Sequence, residues 1–401
     1  MHRGAWYQFG DRSQRMVIEQ LQQNCGVGVI ISPRDLAFHK AVEYSHIYHD
    51  LGAQVLIDQQ FYRPQFSNQK FMSYPINDFR IEISELNKIS NSKLISFANE
   101  LRLINSDISA DAIIAPAIVF EAGRSDIMEL NHKLFGVAKQ VGDDLGIPTY
   151  GTLFLGRSAT TSTELMNSII SSATSCDCDG WYFGFEFEDV RIPFQRDTVL
   201  KCCQAGLILA NTGKPVLHAY SGPISILSLS FGATGVGIGH SQNLWKFTLN
   251  RWQHGGGQGG GGDAPPRYFS RNLWGTIVYP DEVVRLPQDL RDEVISNSEF
   301  SQIVTTNRPF LNWNRWDANK HLVNIISNEI TRISQELDPR ANAQEAFVLL
   351  NNAIDLHTRI SSFGINLIDG TNIYQNTWRD VIEFLLTNHT TDYEYFDLIN
   401  L

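Results

Sequence analysis

The chain has 401 residues, 43% of them hydrophobic, and a formal net charge of −11. That length supports a large core and more than one structural module, which excludes a disordered chain. The acidic balance argues against a surface broadly coated in positive charge, the footprint of tight non-specific nucleic-acid binding.

The N-terminal stretch MHRGAWYQFGDR lacks the apolar centre of a secretory signal. No apolar run reaches the length of a membrane span. A cytoplasmic chain with no membrane partner is therefore expected.

Taken in chain order, a polar segment and a short helix over 16–23 precede a first apolar run at 26–31. A helix over 36–51 follows, with Ser32 or Asp35 as its cap and Gly52 as its stop. Residues 53–57 read as strand two, and a long connection leads to a helix over 92–105. Strand three spans 112–120 and is followed by an amphipathic helix over 125–145. Strand four spans 148–155, with a helix over 162–173. Strand five spans 180–187, with a helix over 194–211. The segment GKPVLHAYSGPISILSLSFGATGVGIGHS supplies strand six at 216–220, a short helix at 223–231 and strand seven at 235–239. Residues 275–279 are the candidate eighth strand.

Strand-length apolar runs that alternate with helix-length segments predict parallel strands buried on both faces. Eight such right-handed units close into an α/β (β/α)8 TIM barrel. An open doubly wound sheet is the main competitor, but no G-x-G-x-x-G follows the first run. The expected division is an N-terminal segment over 1–25, a barrel over 26–308 and a helical C-terminal extension over 309–401. The barrel portion carries a glycine-rich loop at 254–266. Helices are expected at 320–337, 343–360 and 377–386, with Asp338 or Asn342 capping the second. This tail either packs on the barrel or carries a contact in a protein complex.

Catalytic side chains of such barrels stand at the C-terminal ends of the strands. Those ends read Ser32, Asp58, Glu121, Arg157, Glu186 with Glu188, His218 with Tyr220 and Ser221, and His240. The ring is rich in carboxylates, which suits acid–base or nucleophilic work. Each member also has an ordinary structural reading. Asp58 and Glu121 are the catalytic candidates. Glu186, Glu188, His218, Tyr220 and His240 are candidates for binding substrate. Arg267 and Tyr268, beyond the glycine-rich loop, are candidates for holding a phosphate or stacking on a base.

Other chemistries have weaker support. The five cysteines, Cys25, Cys176, Cys178, Cys202 and Cys203, include no C-x-x-C pair and read as free structural thiols. No H-x-H stands at the first run and no H-E-x-x-H occurs anywhere, so no metal site is expected. The strand ends that a retaining glycosidase would use hold no acid. No lysine stands out for a Schiff base, and a Walker A motif is absent. No cofactor is assigned. A flavin- or phosphate-ligand barrel using the Gly222 and Gly239 loops remains an alternative, as does a non-catalytic barrel acting within a complex.

The order of strand ends resembles that of the tRNA-guanine transglycosylase superfamily. VLIDQQFY places Asp58 and Phe61 where that family has an early acid before an aromatic-containing loop, and IVFEAG places Glu121 at its next acidic position. DGWYFGFEFED is similar to the base-recognition strand, and VLHAYSG and GATGVGIGHS to the following units. The resemblance spans about 26–279. It implies a (β/α)8 enzyme that cleaves or exchanges a nucleobase in a nucleic acid or nucleoside substrate, with Asp58 and Glu121 at the reacting centre and Glu186 reading the base. The chain departs from the family in three places. His240 and Ser241 stand where the strand-seven aspartate belongs, the S-G-G signature is missing, and there is no C-x-C-x-x-C…H zinc site.

Overall fold

Eight parallel strands alternate with helices around a nearly closed barrel, in a computed structural model that describes residues 1–83, 89–187, 192–252, 266–295, 313–368 and 372–388. The strands are β1 (Gly4–Gln8), β2 (Gly28–Ile31), β3 (Gln54–Ile57), β4 (Ile113–Ile114), β5 (Thr149–Leu155), β6 (Gly180–Phe185), β7 (Val216–His218) and β8 (Gly235–Ile238). Their order is β3-β2-β1-β8-β7-β6-β5-β4.

The barrel class read from the sequence is therefore correct, but one strand was assigned to the wrong place. Residues Gly4–Gln8, read as part of a polar leader, form β1 and pair in parallel with both β2 and β8. The expected eighth strand, Gly275–Val278, instead pairs antiparallel with Arg267–Ser270 in a separate two-stranded hairpin. The hairpin has its own small core, including Tyr268, Ile277, Tyr279, Leu290 and Trp313. An apolar run reports burial, and it does not report which sheet provides it.

Side chains alternate strictly across the barrel wall, as the period of two requires. Trp6, Ile30, Leu56, Tyr150, Phe154 and Tyr182 fill the interior. Val29, Val55, Leu153, Trp181, Phe183 and Val236 face the helices. Several interior rings lie over a glycine on the neighbouring strand. A Cβ on Gly28 would come within 2.4 Å of the Trp6 ring. On Gly180 it would come within 2.4 Å of Tyr150, and on Gly184 within 2.2 Å of Phe154. On Gly235 it would lie 2.8 Å from the Trp6 indole nitrogen. The space beside each of these glycines is thus filled by a ring. Gly239 behaves similarly, because its Cβ would lie 2.1 Å from Leu244.

Two aspartates close the lower rim. At the β3–β4 seam, Asp111 N–H donates to Val55 O at 3.0 Å. The Asp111 carboxylate accepts Val55 N–H at 2.6 Å. Asp179 does the same to Thr149, donating at 2.7 Å and accepting at 2.8 Å. A carboxylate here takes the place of a strand carbonyl just where the ladder begins.

The outer layer contains one weak member. The helix Ser225–Ser230 after β7 has only six residues, all buried. The helices Arg315–Ile333, Pro339–Ser362 and Ile373–Asn388 all pack against it, and Arg315–Ile333 also covers β1 and the hairpin. The C-terminal extension thus packs on the barrel. Asn314 caps the first of these helices by accepting from the N–H groups of Trp316 and Asp317. Asp338 caps the second, with Pro339 at its first position. The expected cap of the helix Phe38–Asp50 is not found. Its N-cap is Ala37, and neither Ser32 nor Asp35 caps it. Among the described residues, no helix is long and apolar enough to cross a membrane.

The packing of rings on glycines is directly testable. Gly28→Ala should lower stability by about 1–3 kcal/mol through overpacking against Trp6. Gly136→Ala, at an exposed position on the helix Ser125–Leu145 where an added Cβ meets nothing within 4 Å, should raise it by about 0.5–1 kcal/mol. Denaturant melts of both variants give the two signs.

Candidate functional site

The end of β3 places Asp58 in the barrel interior, with 1% of its surface exposed. Its Oδ2 accepts from three tyrosine hydroxyls: Tyr62 at 2.7 Å, Tyr182 at 3.0 Å and Tyr220 at 3.3 Å. Its Oδ1 accepts the backbone N–H of Gln60 at 3.0 Å. The tyrosines come from the loop after β3, from β6 and from the end of β7. Local backbone conformation makes this possible. Gln60 and Tyr220 both take left-handed φ angles, +54° and +51°. Non-glycine residues held there carry strain, and such strain concentrates at functional positions. Burial pushes the Asp58 carboxyl up to about 6, although the four donors oppose the rise. The same burial, with Asp58 beside them, holds the three tyrosines well above their ordinary range, so they remain proton donors.

Aromatic rings surround the carboxylate. Tyr62 lies 4.3 Å from Phe154, 5.1 Å from Phe247 and 4.9 Å from Trp252, centroid to centroid. Tyr220 lies edge-on to Trp252 at 5.9 Å. Phe247 and Trp252 ride on the segment after β8. Polar atoms within this apolar cluster are incompletely used. Gln8 Oε1 accepts from Tyr182 at 3.3 Å, but Gln8 Nε2 has no partner. Both amide atoms of Gln59 and the Trp252 indole N–H are likewise buried without one. Buried polar groups of this kind are uncommon in native interiors.

A second polar group adjoins the first. Gln60 Nε2 donates to the Tyr220 hydroxyl at 3.0 Å, and Gln60 Oε1 accepts from Ser32 at 3.1 Å. Ser32 also donates to Asp35 at 2.8 Å, and Asp35 pairs with Arg251 at 2.7 Å. His240 lies beside this pair, and burial pulls its imidazole down to about 4. His240 also lines a cleft of about 370 Å³ whose walls include Ser241, Asn243, Trp245, Arg267, Arg315 and Asn319.

The expected site residues separate into three groups. Asp58 and Tyr220 meet at the centre, and His240 stands at the adjoining cluster. Glu121 is half-buried beyond β4 and shares none of Asp58's hydrogen-bond partners. Glu186 is buried but committed to the backbone. Its Oε2 accepts Arg157 N–H at 3.1 Å and its Oε1 accepts Leu249 N–H at 3.0 Å, so it ties two loops together. His218 faces outward, against Ser228 at 2.6 Å and the Phe183 ring at 5.0 Å. Burial pulls it down to about 3, which fits a neutral core histidine. Arg267 lines the cleft. Tyr268 is fully buried in the hairpin core, stacked on His321 at 4.3 Å. Glu188 and loop residues 254–265 lie outside the described residues.

Sequence reasoning missed Tyr62, Tyr182, Gln60 and Gln8. Tyr182 was recoverable from strand period alone, because it alternates with the outward-facing Trp181 and Phe183. Among the described residues, no group of three or more His, Cys, Asp or Glu is placed to hold a metal ion. No protein-family model matches the chain, and no curated protein resembles it at a significant level.

The raised carboxyl predicts a pH-dependent stability difference. Below about 4, Asp58 is protonated in both folded and unfolded chains. Between about 4 and 6 the unfolded chain ionises first, so folding loses stability as pH rises, and the full loss is present above about 6. The ionisation penalty is on the order of 3 kcal/mol. Asp58→Asn removes it, so the melting temperature of the variant relative to wild type should climb between pH 4 and pH 7. A pH-independent difference would contradict the assignment.

Proposed function

We propose that this chain is a nucleobase- or nucleoside-directed enzyme of transglycosylase type, cleaving or exchanging a base at the C-terminal mouth of the barrel. The observation that carries this reading is the fully buried Asp58 carboxylate, held by three tyrosine hydroxyls beneath a set of aromatic rings. Departure of a base from a sugar develops positive charge on the sugar carbon. A carboxylate in a dry site stabilises that charge far more than one in water, and it is also placed to attack the carbon. The tyrosines orient the carboxylate and keep it in place without neutralising it. Tyr62, Phe154, Phe247 and Trp252 offer flat faces of the kind on which bases stack. The unpartnered Gln8 Nε2 and both amide atoms of Gln59 provide donors and an acceptor suited to base edges.

Admission of a base requires Phe247 and Trp252 to move, since both are buried against Tyr62 and Tyr220, two of the tyrosines that hold Asp58. Lids that close in this way exclude water from the reacting centre. Glu186 acts here as a brace, joining the loop after β5 to the segment that carries those rings. His240 and Arg267 belong to the outer part of the same mouth.

The test is release or exchange of base from nucleosides and polynucleotides, followed by chromatography of the products. Wild type should turn over, and Asp58→Asn should be at least about 100-fold slower. The variant is expected to fold at least as stably near neutral pH, so the loss would not reflect unfolding. Equal rates in both proteins would remove Asp58 from the chemistry.

A further inference from the structure

Two arginines beside the mouth form an arrangement that the base-exchange reading does not use. Arg251 is nine-tenths buried and gives Nη2 to Asp35, but its Nη1 is buried without a partner. Its guanidinium lies over the Tyr220 ring at 5.6 Å and the Trp252 ring at 5.4 Å. Arg34 stacks on the Phe66 ring at 4.9 Å, makes no ion pair among the described residues, and also has a buried, unpartnered Nη1. Its backbone N–H donates to Gln60 Oε1 at 3.3 Å, which ties it to the chain of contacts reaching Asp58.

The charges do not balance locally. Asp35 is the carboxylate that acts on both guanidinium groups, and its Oδ2 is already shared between Ser32 and Arg251. Lys70 adds a third cation nearby, donating to the Asp35 carbonyl and pairing with the exposed Asp11. The neighbourhood thus holds four cations, Arg34, Arg251, Lys70 and Arg12, against the carboxylates Asp35 and Asp11, with Asp58 beyond Tyr220. His240, kept neutral by burial, adds no charge but faces the same group. Burial and the adjacent Arg251 pull Arg34 down to about 10. Forked donors left unpaired in such a place are costly, and they match an oxyanion with two or three acceptor oxygens.

We infer that Arg34 and Arg251 form an oxyanion-binding site that takes a phosphate group of the substrate. With the proposed function as its premise, the inference narrows the substrate from a nucleoside to a nucleotide or nucleotide-containing chain. The Tyr220 ring separates the Arg251 guanidinium from the Asp58 carboxylate. A nucleotide likewise carries its phosphate apart from the sugar carbon bearing its base. Anchoring the phosphate would hold that carbon over Asp58, so binding remote from the reacting bond would serve orientation.

The experiment is calorimetric titration of the full chain with inorganic phosphate, with acetate as the comparison anion. Wild type should bind phosphate more tightly than acetate. Arg34→Gln should weaken phosphate binding about tenfold or more, the loss expected for a charged hydrogen bond. Arg251→Gln should do the same. Arg34 carries no ion pair that folding depends on, so its variant tests the site even if Arg251→Gln fails to fold. Arg315→Gln, in the neighbouring cleft, separates that cleft from this site, because loss of binding there with Arg34→Gln unaffected would put the phosphate in the cleft. No binding by wild type, acetate binding as tightly as phosphate, or phosphate binding lost in Arg315→Gln but kept in Arg34→Gln would each overturn the inference. Asp58→Asn should keep phosphate binding. A wild type that binds phosphate but exchanges no base would overturn the proposed reaction alone. One that exchanges bases without binding phosphate would overturn only this site.

Discussion

Closure of the barrel depends on Trp6 lying across glycines of the strands on either side. Only a limited volume of side chain fits inside eight strands. Trp6 occupies it by reaching over Gly28 of β2 and Gly235 of β8, and Tyr150 and Phe154 repeat the device over Gly180 and Gly184. Because a ring meets a glycine only in one pairing, the contact fixes register as well as volume. A one-residue slip would bring a ring against a β-branched side chain. It would also turn the interior set outward.

The same packing prepares the mouth. Asp58 is buried beside the rings of the barrel interior, and among the described residues its side-chain donors are three tyrosine hydroxyls. The two effects on its acidity oppose each other, and desolvation prevails. Outward from Asp58 the polarity rises in steps, through Gln60 and Tyr220 to the pair of Asp35 and Arg251, and then to the cleft beyond His240. A gradient from dry carboxylate to wet cation suits a ligand with a flat apolar end and a charged end.

Much of the barrel was legible because parallel strands buried on both faces leave apolar runs that flanking helices punctuate. Residues 4–8 escaped because GAWYQ is short, mixes polar and aromatic residues, and stands before any turn signal. Residues 275–278 misled because a buried hairpin strand leaves the same run as a barrel strand. Asp58 was legible from its place after VLI. Of its partners, Tyr220 stood among the strand-end candidates and Tyr182 was recoverable from strand period, but that these two and Tyr62 converge on one carboxylate shows only in three dimensions. The fate of Glu186 was hidden for a different reason. Acceptance of two backbone N–H groups from separate loops leaves no trace in side-chain identity. His218 is the opposite case, because counting by twos from the interior Leu217 already sends it to the helix side.

The left-handed backbone at Gln60 and Tyr220 has a consequence for how this protein can change. Glycine or asparagine would relax either position, yet each substitution would also strip away a contact that steers the Asp58 carboxylate. Directed evolution for heat resistance alone would therefore drift toward small residues at these two points. Selection for turnover would push back, so the pair marks where durability and performance make opposing demands at two points 160 residues apart that meet at one carboxylate.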